Sequence, residues 1–385
     1  MKTKTNSISI EALDTLFFRN GKPFERGEDA NGAGLFPPAP SVYHGALRTA
    51  YFAQHGTGFI SSQKVAAATR GLSIQSVALQ TYDDRLLFPT PSDLVIPKED
   101  EGKRSSEATL LSVSAAPTIS NYPPTLSVLV SQVDYPVVGS LAYRIDQKQL
   151  EAYLNNTEGT FEVERLQHYL TGESKVGIGR DLKTGAVLEG HLYFVNFVRP
   201  RNDQGEGLRI HLTYQTRWEK PLHESGYLRL GGEGKIAHYH RDVLQRAIIQ
   251  QPEIQSKYLK IYLATPCYFR NGWLPEGIDH KTFQGKLHGI EVQLVTAAIG
   301  RPEHLGGFDQ QRQIPKPMRR LVPAGSVYYL KTETLTDAAA LSAKIHGTSI
   351  TEEDSLHEQN VESDYYRRRG FGIAYVGNWK MNDNE

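Results

Sequence analysis

Apolar positions fall in short runs separated by long polar stretches, and the runs come in a recognisable order. Residues 8–18 form an apolar strand pattern that ends at the Asn20-Gly21 turn. A basic loop follows, and Pro37-Pro38 leads to Ser41, a good N-cap for a helix opening at Val42. On that helix Val42, Ala46, Ala50 and Ala53 share the side expected to be buried, whereas His44, Arg48, Tyr51 and His55 recur at helical spacing on another face. Cations and a ring on one surface suit a polyanion with stackable bases. Residues 71–172 are polar and Pro-rich with few sustained periodic segments, which predicts a large insertion. Strand patterns resume at 191–198 and 208–214, joined by the turn-rich 202–207 as a hairpin, and a short helix is expected over 242–250 before Pro252. The second half runs through strand patterns at 258–263, 289–298 and 327–330, an Ala-rich segment at 337–345, and a closing glycine loop. The sum is an α+β protein whose two halves share one order of elements.

Composition adds limits. A chain of 385 residues, 39% of them hydrophobic, builds a sizeable core and more readily two domains than one. No apolar run spans a bilayer and residues 1–6 show no signal-peptide character, so no membrane partner and a cytoplasmic location are expected. The one cysteine, Cys267, excludes an internal disulfide and a multi-cysteine metal site. Net charge is zero, from 43 basic and 43 acidic residues, yet the charges are segregated. Between 312 and 331 they are almost all positive, Arg367-Arg368-Arg369 precede the last glycine loop, and acidic residues collect between 352 and 364.

Three motifs bear on chemistry. Gly231-Gly232-Glu233-Gly234-Lys235 follows a strand-like segment and would let backbone approach a phosphate, with Arg229 and Lys235 flanking it. A dinucleotide fold is rejected because Ala237-His238-Tyr239-His240 opens no helix, and a Walker A loop because Lys235 has no following Ser or Thr. His240-Arg241-Asp242 lacks the Asn and the Asp-Phe-Gly that a kinase needs. Tyr365-Tyr366 before the three arginines offers rings for stacking beside cations.

The block at 13–24, Phe36-Pro37-Pro38, Gly45-Ala46-Leu47-Arg48-Thr49, the 228–235 segment, Pro315-Lys316-Pro317-Met318-Arg319-Arg320 with Val322-Pro323-Ala324-Gly325-Ser326, and the stretch 370–379 together resemble the repeat-associated RAMP subunit of type III-B CRISPR effector complexes. The resemblance spans nearly the whole chain, and departs from the superfamily where Gly377-Asn378-Trp379 lacks a final Gly-x-Gly. It implies two ferredoxin-like (RRM-like) RAMP domains, 1–251 with an insertion at about 71–172 and 252–385 with the C-terminal glycine-rich loop. It also implies a non-catalytic subunit without cofactor or metal that anchors the 5′ handle of the guide RNA. Its protein partners would be the large palm-domain subunit and a backbone RAMP subunit. Residues assigned to RNA are Arg19, Lys22, His44, Arg48, Arg229, Gly231, Gly232, Gly234, Lys235, Lys316, Arg319, Arg320, Arg367, Arg368, Gly370 and Gly372. The competing expectation is a metal-independent endoribonuclease of the same superfamily, with His44 as general base or acid and Arg48 steadying the phosphate. A nucleotide-binding enzyme using 231–235 is a third.

Overall fold

The computed structural model describes residues 3–18, 31–32, 35–55, 69, 71–115, 123, 126–155, 158–180, 184, 186–242, 249–309, 314–353 and 365–381. Strand Lys4–Ala12 lies between Leu208–Thr216 and Ile236–Asp242, and Ser73–Thr81 pairs with the far side of Leu208–Thr216, every pair antiparallel. Counted along the chain, these four strands stand in the order 4-1-3-2 across the sheet. The second half repeats it: Tyr258–Leu263, Ile290–Ala298, Val327–Thr332 and Ile373–Asn378 also stand 4-1-3-2, all antiparallel. The first half has helix Pro40–Gln54 between its first and second strands, and the second half has helix Leu335–Ile345 between its third and fourth. The later helix starts where it does because Thr334 and Asp337 cap each other's backbone N–H, at 3.1 and 3.2 Å.

Helix Pro40–Gln54 opens two residues earlier than the sequence implies. Proline is at home at the first helical position, and the N-cap is Ala39, which offers no side-chain bond, rather than Ser41. Its buried residues are Pro40, Tyr43, His44, Ala46, Leu47 and Ala50, packed on Ile8, Ile10 and Leu212. Ala53 is exposed and Val42 half-buried, so the apolar stripe is rotated from the expected one toward His44.

The polar stretch expected to be a loose insertion is mostly sheet. Ser73–Thr81 is the second strand of the N-terminal sheet, so the interval between the second and third strands is 82–207 rather than 71–172. Within it Leu86–Pro89, Tyr143–Asp146, Thr160–Arg165, Ser105–Leu110, Leu94–Pro97 and Val137–Gly139 add six strands to the sheet, which with Ser225–Arg229 on the opposite edge has eleven. Strands this short carry at most three periods of alternation, too few to stand out among Ser, Thr and Glu. The hairpin expected at 191–214 is also revised. Val187–Arg199 pairs with Thr171–Arg180 in a separate sheet, while Leu208–Thr216 joins the main one, so only the turn is shared, closed by Leu208 N donating to Pro200 O at 2.9 Å. Asp242 ends a strand; the rest of the helix expected up to 250 lies largely outside the described residues.

The C-terminal sheet is buried on both faces. Along Ile373–Asn378, Ala374 and Val376 meet helix Leu335–Ile345, while Ile373 and Tyr375 enter a core shared with Leu86, Phe88 and Leu94. In that shared core Asp93, fully buried, accepts from Tyr153 and Tyr329 hydroxyls at 2.6 Å each, and the Lys260 ammonium sits 3.6 Å from the Tyr153 ring centroid. The inserted segment and the second half thus close on one polar knot.

Candidate nucleic-acid interface

A small apolar hub joins the two halves at the N-terminal end of helix Pro40–Gln54. Leu321, Tyr366 and Phe371 form it, with Ala39, Tyr268, Leu305 and Tyr365 packed around. Tyr268 stacks on Tyr366 with centroids 5.1 Å apart, and Phe371 meets Tyr366 edge-on. Gly370 closes the turn at φ +86°, and a Cβ there would lie 2.8 Å from Ile74 and 3.5 Å from Pro40. The last turn of the chain is therefore pressed against the start of the first helix.

Three basic stripes far apart in sequence meet at this hub. Leu321 ends strand Arg319–Leu321, which pairs with Glu303–Leu305 and carries Arg320, exposed, opposite His304. Helix Tyr365–Arg368 brings Arg367, exposed, and Arg368; its first N–H groups, from Tyr366 and Arg367, donate to the Glu353 carboxylate at 3.1 Å. The Arg369 guanidinium lies 3.7 Å from the Tyr365 ring centroid, and Lys316 Nζ donates to the Tyr365 hydroxyl at 2.7 Å. From the first half come Arg48 and His44. His44 is 6% exposed, and burial, then the charges of Arg369, Arg48 and Arg368, hold its pKa well below the usual 6.5, partly offset by a hydrogen bond to the Leu72 backbone. Its ring is neutral at physiological pH, which removes it from the exposed cationic face that the helical spacing suggested. Tyr51 leaves that face too, stacked on Trp218 at 4.2 Å. Arg367 and Lys344 reach one more ring: burial first, then these two charges, lower the pKa of His288.

The structure therefore gathers Arg48, Lys316, Arg368, Arg369 and Tyr365 around one seam; Arg319 and Arg320 stand beside it on the strand that Leu321 anchors, and Arg367 reaches toward His288. Arg369 was legible as the third of three consecutive arginines; the place of Tyr365 over it was not. Forked guanidinium groups beside a ring fit a phosphate chain with bases to stack.

The remaining assigned residues do other work or lie elsewhere. Gly372 is buried at φ +67°, where a Cβ would lie 2.7 Å from Thr351 N and 3.0 Å from Cys267 Sγ. Glycine at 370 and 372 is thus required by protein packing, which corrects the expectation that it clears space for RNA; beyond them Ile373–Asn378 is a buried strand rather than a loop. The 231–235 turn is likewise built against protein. Gly232 N donates to Phe17 O at 2.8 Å, and a Cβ on Gly231, at φ +89°, would lie 2.6 Å from that same oxygen. Lys235 Nζ donates to Asp14 Oδ2 at 2.8 Å and to Thr15 Oγ1 at 3.0 Å, and that hydrogen bond above all holds the Asp14 carboxyl down at about 2. Only Gly234, at φ +66° with nothing within 4 Å, stands at an open tip, and Arg229 is exposed on the edge strand Ser225–Arg229. Arg19 and Lys22 lie outside the described residues.

The family model described as CRISPR-associated protein (Cas_Cmr3) matches residues 8–379. The chain belongs to the Cmr3 family. It is therefore a Cmr-type CRISPR subunit, in line with the sequence resemblance. No curated protein matches this Cmr3-family chain. Among solved structures it is similar to a chain of a type III-B Cmr-beta complex bound to cognate target RNA, at 15% identity and TM-score 0.49 over 95% of both chains. A chain of the same kind of complex with target RNA and AMPPnP gives 14% identity and 0.49, covering 95% of this chain and 94% of that one. A chain of the Csm3–Csm4 subcomplex of a type III-A interference complex gives 11% and 0.37, covering 86% and 93%. Among the described residues no helix is long and apolar enough to cross a membrane.

Proposed function

We propose that this Cmr3-family chain is a non-catalytic, cytoplasmic, guide-RNA-binding subunit of a type III-B effector complex, and that the 5′ handle of the guide lies across the seam between its halves. The observation that carries this reading is the meeting of Arg48, Lys316, Arg368 and Arg369 at one hub, with Arg319 and Arg320 beside it. The order 4-1-3-2 in both sheets supports two ferredoxin-like domains, each keeping one of the two helices such a domain carries, with segment 82–207 inserted in the first. The large palm-domain subunit and a backbone RAMP subunit are the proposed neighbours. Burial of His44 weighs against the ribonuclease alternative, since a general base must reach the 2′-OH proton within hydrogen-bond distance.

The test is a salt titration of single-stranded RNA binding. Each phosphate contact removed flattens the slope of log affinity against log salt by about 0.7. Arg320→Gln and Arg368→Gln are each expected to weaken binding and flatten the slope by about that amount, with the melting temperature little changed. Unchanged slopes in both folded variants place the RNA elsewhere.

A further inference from the structure

Buried histidine beside three arginines is an uncommon arrangement, because burial and like charge act in the same direction on the ring. His44 is held from two sides. Its own helix supplies Arg48 one turn on, and the C-terminal turn supplies Arg368 and Arg369, pressed against the helix start through Gly370. The ring is hydrogen-bonded to the Leu72 backbone, and Nδ1 has no hydrogen-bond partner among the described residues. Nδ1 is thus the nitrogen able to accept a proton, while the arginines repel the charge that proton would bring. A bound anion reverses this. Phosphate at the guanidinium groups offsets the arginines' share of what lowers the ring's pKa, while burial, the larger share, remains.

Resting on the reading of the seam as an RNA site, we propose that RNA phosphate bound at the Arg48, Arg368 and Arg369 cluster is taken up together with one solvent proton on His44 Nδ1, so that the seam grips its ligand more tightly as pH falls. No bond to phosphorus forms or breaks; the proton comes from water and returns to it on release. The sign follows from linkage. RNA raises the ring's pKa, so the bound state carries more protons between the free and bound pKa values, and affinity rises as pH falls through that window. One proton sets the ceiling at about tenfold per pH unit. Free His44 starts well below 6.5, so the gain appears on the acid side of neutrality.

The experiment measures binding of an eight-nucleotide single-stranded RNA with a 5′ hydroxyl to the full chain at constant ionic strength. Affinity is expected to rise about three- to tenfold between about pH 7.5 and pH 5.5. In both His44→Gln and His44→Phe that ratio falls at least about threefold, whatever each does to affinity at one pH. Should either variant fail to fold, the wild type still decides: the His44 ring resonance, titrated with and without saturating RNA, shows a raised pKa. An unmoved ring pKa, or the same affinity ratio in wild type and a folded His44 variant, overturns the proposal. Affinity that depends on Arg368 and Arg369 but not on His44 protonation leaves the RNA site standing and sinks only the coupling. Affinity indifferent to both arginines removes the site and the coupling together.

Discussion

Lys260 shows how one residue ties the halves. It is 1% exposed in the middle of strand Tyr258–Leu263, and desolvation lowers its pKa to about 8 against the pull of Asp93. Asp93 is displaced the opposite way, raised by the same loss of water. Removing one partner of such a pair leaves a buried charge uncompensated and costs about 3–5 kcal/mol. Lys260→Met is therefore expected to lose about that much stability near neutral pH, and Lys260→Met with Asp93→Asn to recover part of it. The pH dependence has a definite sign. Between the folded value of about 8 and the unfolded 10.5, the unfolded chain binds the extra proton, so this lysine's contribution favours folding increasingly as pH rises. By pH 9.5, the gap between wild type and Lys260→Met should have widened by about 2 kcal/mol. Urea unfolding of both proteins at a series of pH values measures it. A gap that stays flat with pH would show that the lysine keeps its solution pKa in the fold, and one that narrows that its charged form is stabilised there. None of this was visible in the sequence, where Lys260 is one polar position in an apolar run.

Glycines separate what was legible in elements from what was not. The positions of the glycine motifs were plain from the chain, and so were most of the C-terminal strands, because 258–263 and 327–330 are runs of large apolar residues. Their purpose was not, since a glycine that clears a ligand and one that clears a neighbouring strand leave the same trace in sequence. The structure tells them apart. Gly372→Ala puts a Cβ 2.7 Å from a backbone nitrogen at φ +67°, so strain and collision add, and a loss of more than about 3 kcal/mol is expected. Gly234→Ala at the open tip meets nothing within 4 Å and bears only the left-handed backbone cost of about 1–2 kcal/mol. Melting curves of the two variants rank them, and equal losses would refute the packing account. The strands of the 82–207 segment are hidden in the sequence for a related reason. Its strands are short and half polar, and what makes them strands is the sheet they extend, a long-range fact that local periodicity does not carry.

Across the whole molecule, the halves share a core rather than a hinge. Tyr262 donates to Pro89 O at 2.6 Å, Ser92 N donates to Gly325 O at 2.8 Å, and a Cβ at Gly377 would lie 2.8 Å from Leu154 O. Leu86, Phe88, Tyr153 and Phe161 pack in one cluster with Tyr262, Tyr329, Tyr375 and Trp379, so the first 251 residues and the last 134 bury each other's apolar surface. Burying one such side chain contributes about 1.5–3 kcal/mol, so parting the halves exposes this shared cluster even though each keeps a cluster of its own. The seam's basic residues are drawn from both halves, so a seam that opened on a hinge would scatter them. Calorimetry is therefore expected to show a single unfolding transition. Residues 252–385 expressed alone are expected to lack fixed tertiary structure, and co-expression with residues 1–251 to restore a folded pair that purifies together. Two separate transitions, or a C-terminal half that folds and melts cooperatively by itself, would mean that the halves move as independent bodies and that the seam is assembled only when RNA or a neighbouring subunit draws them together.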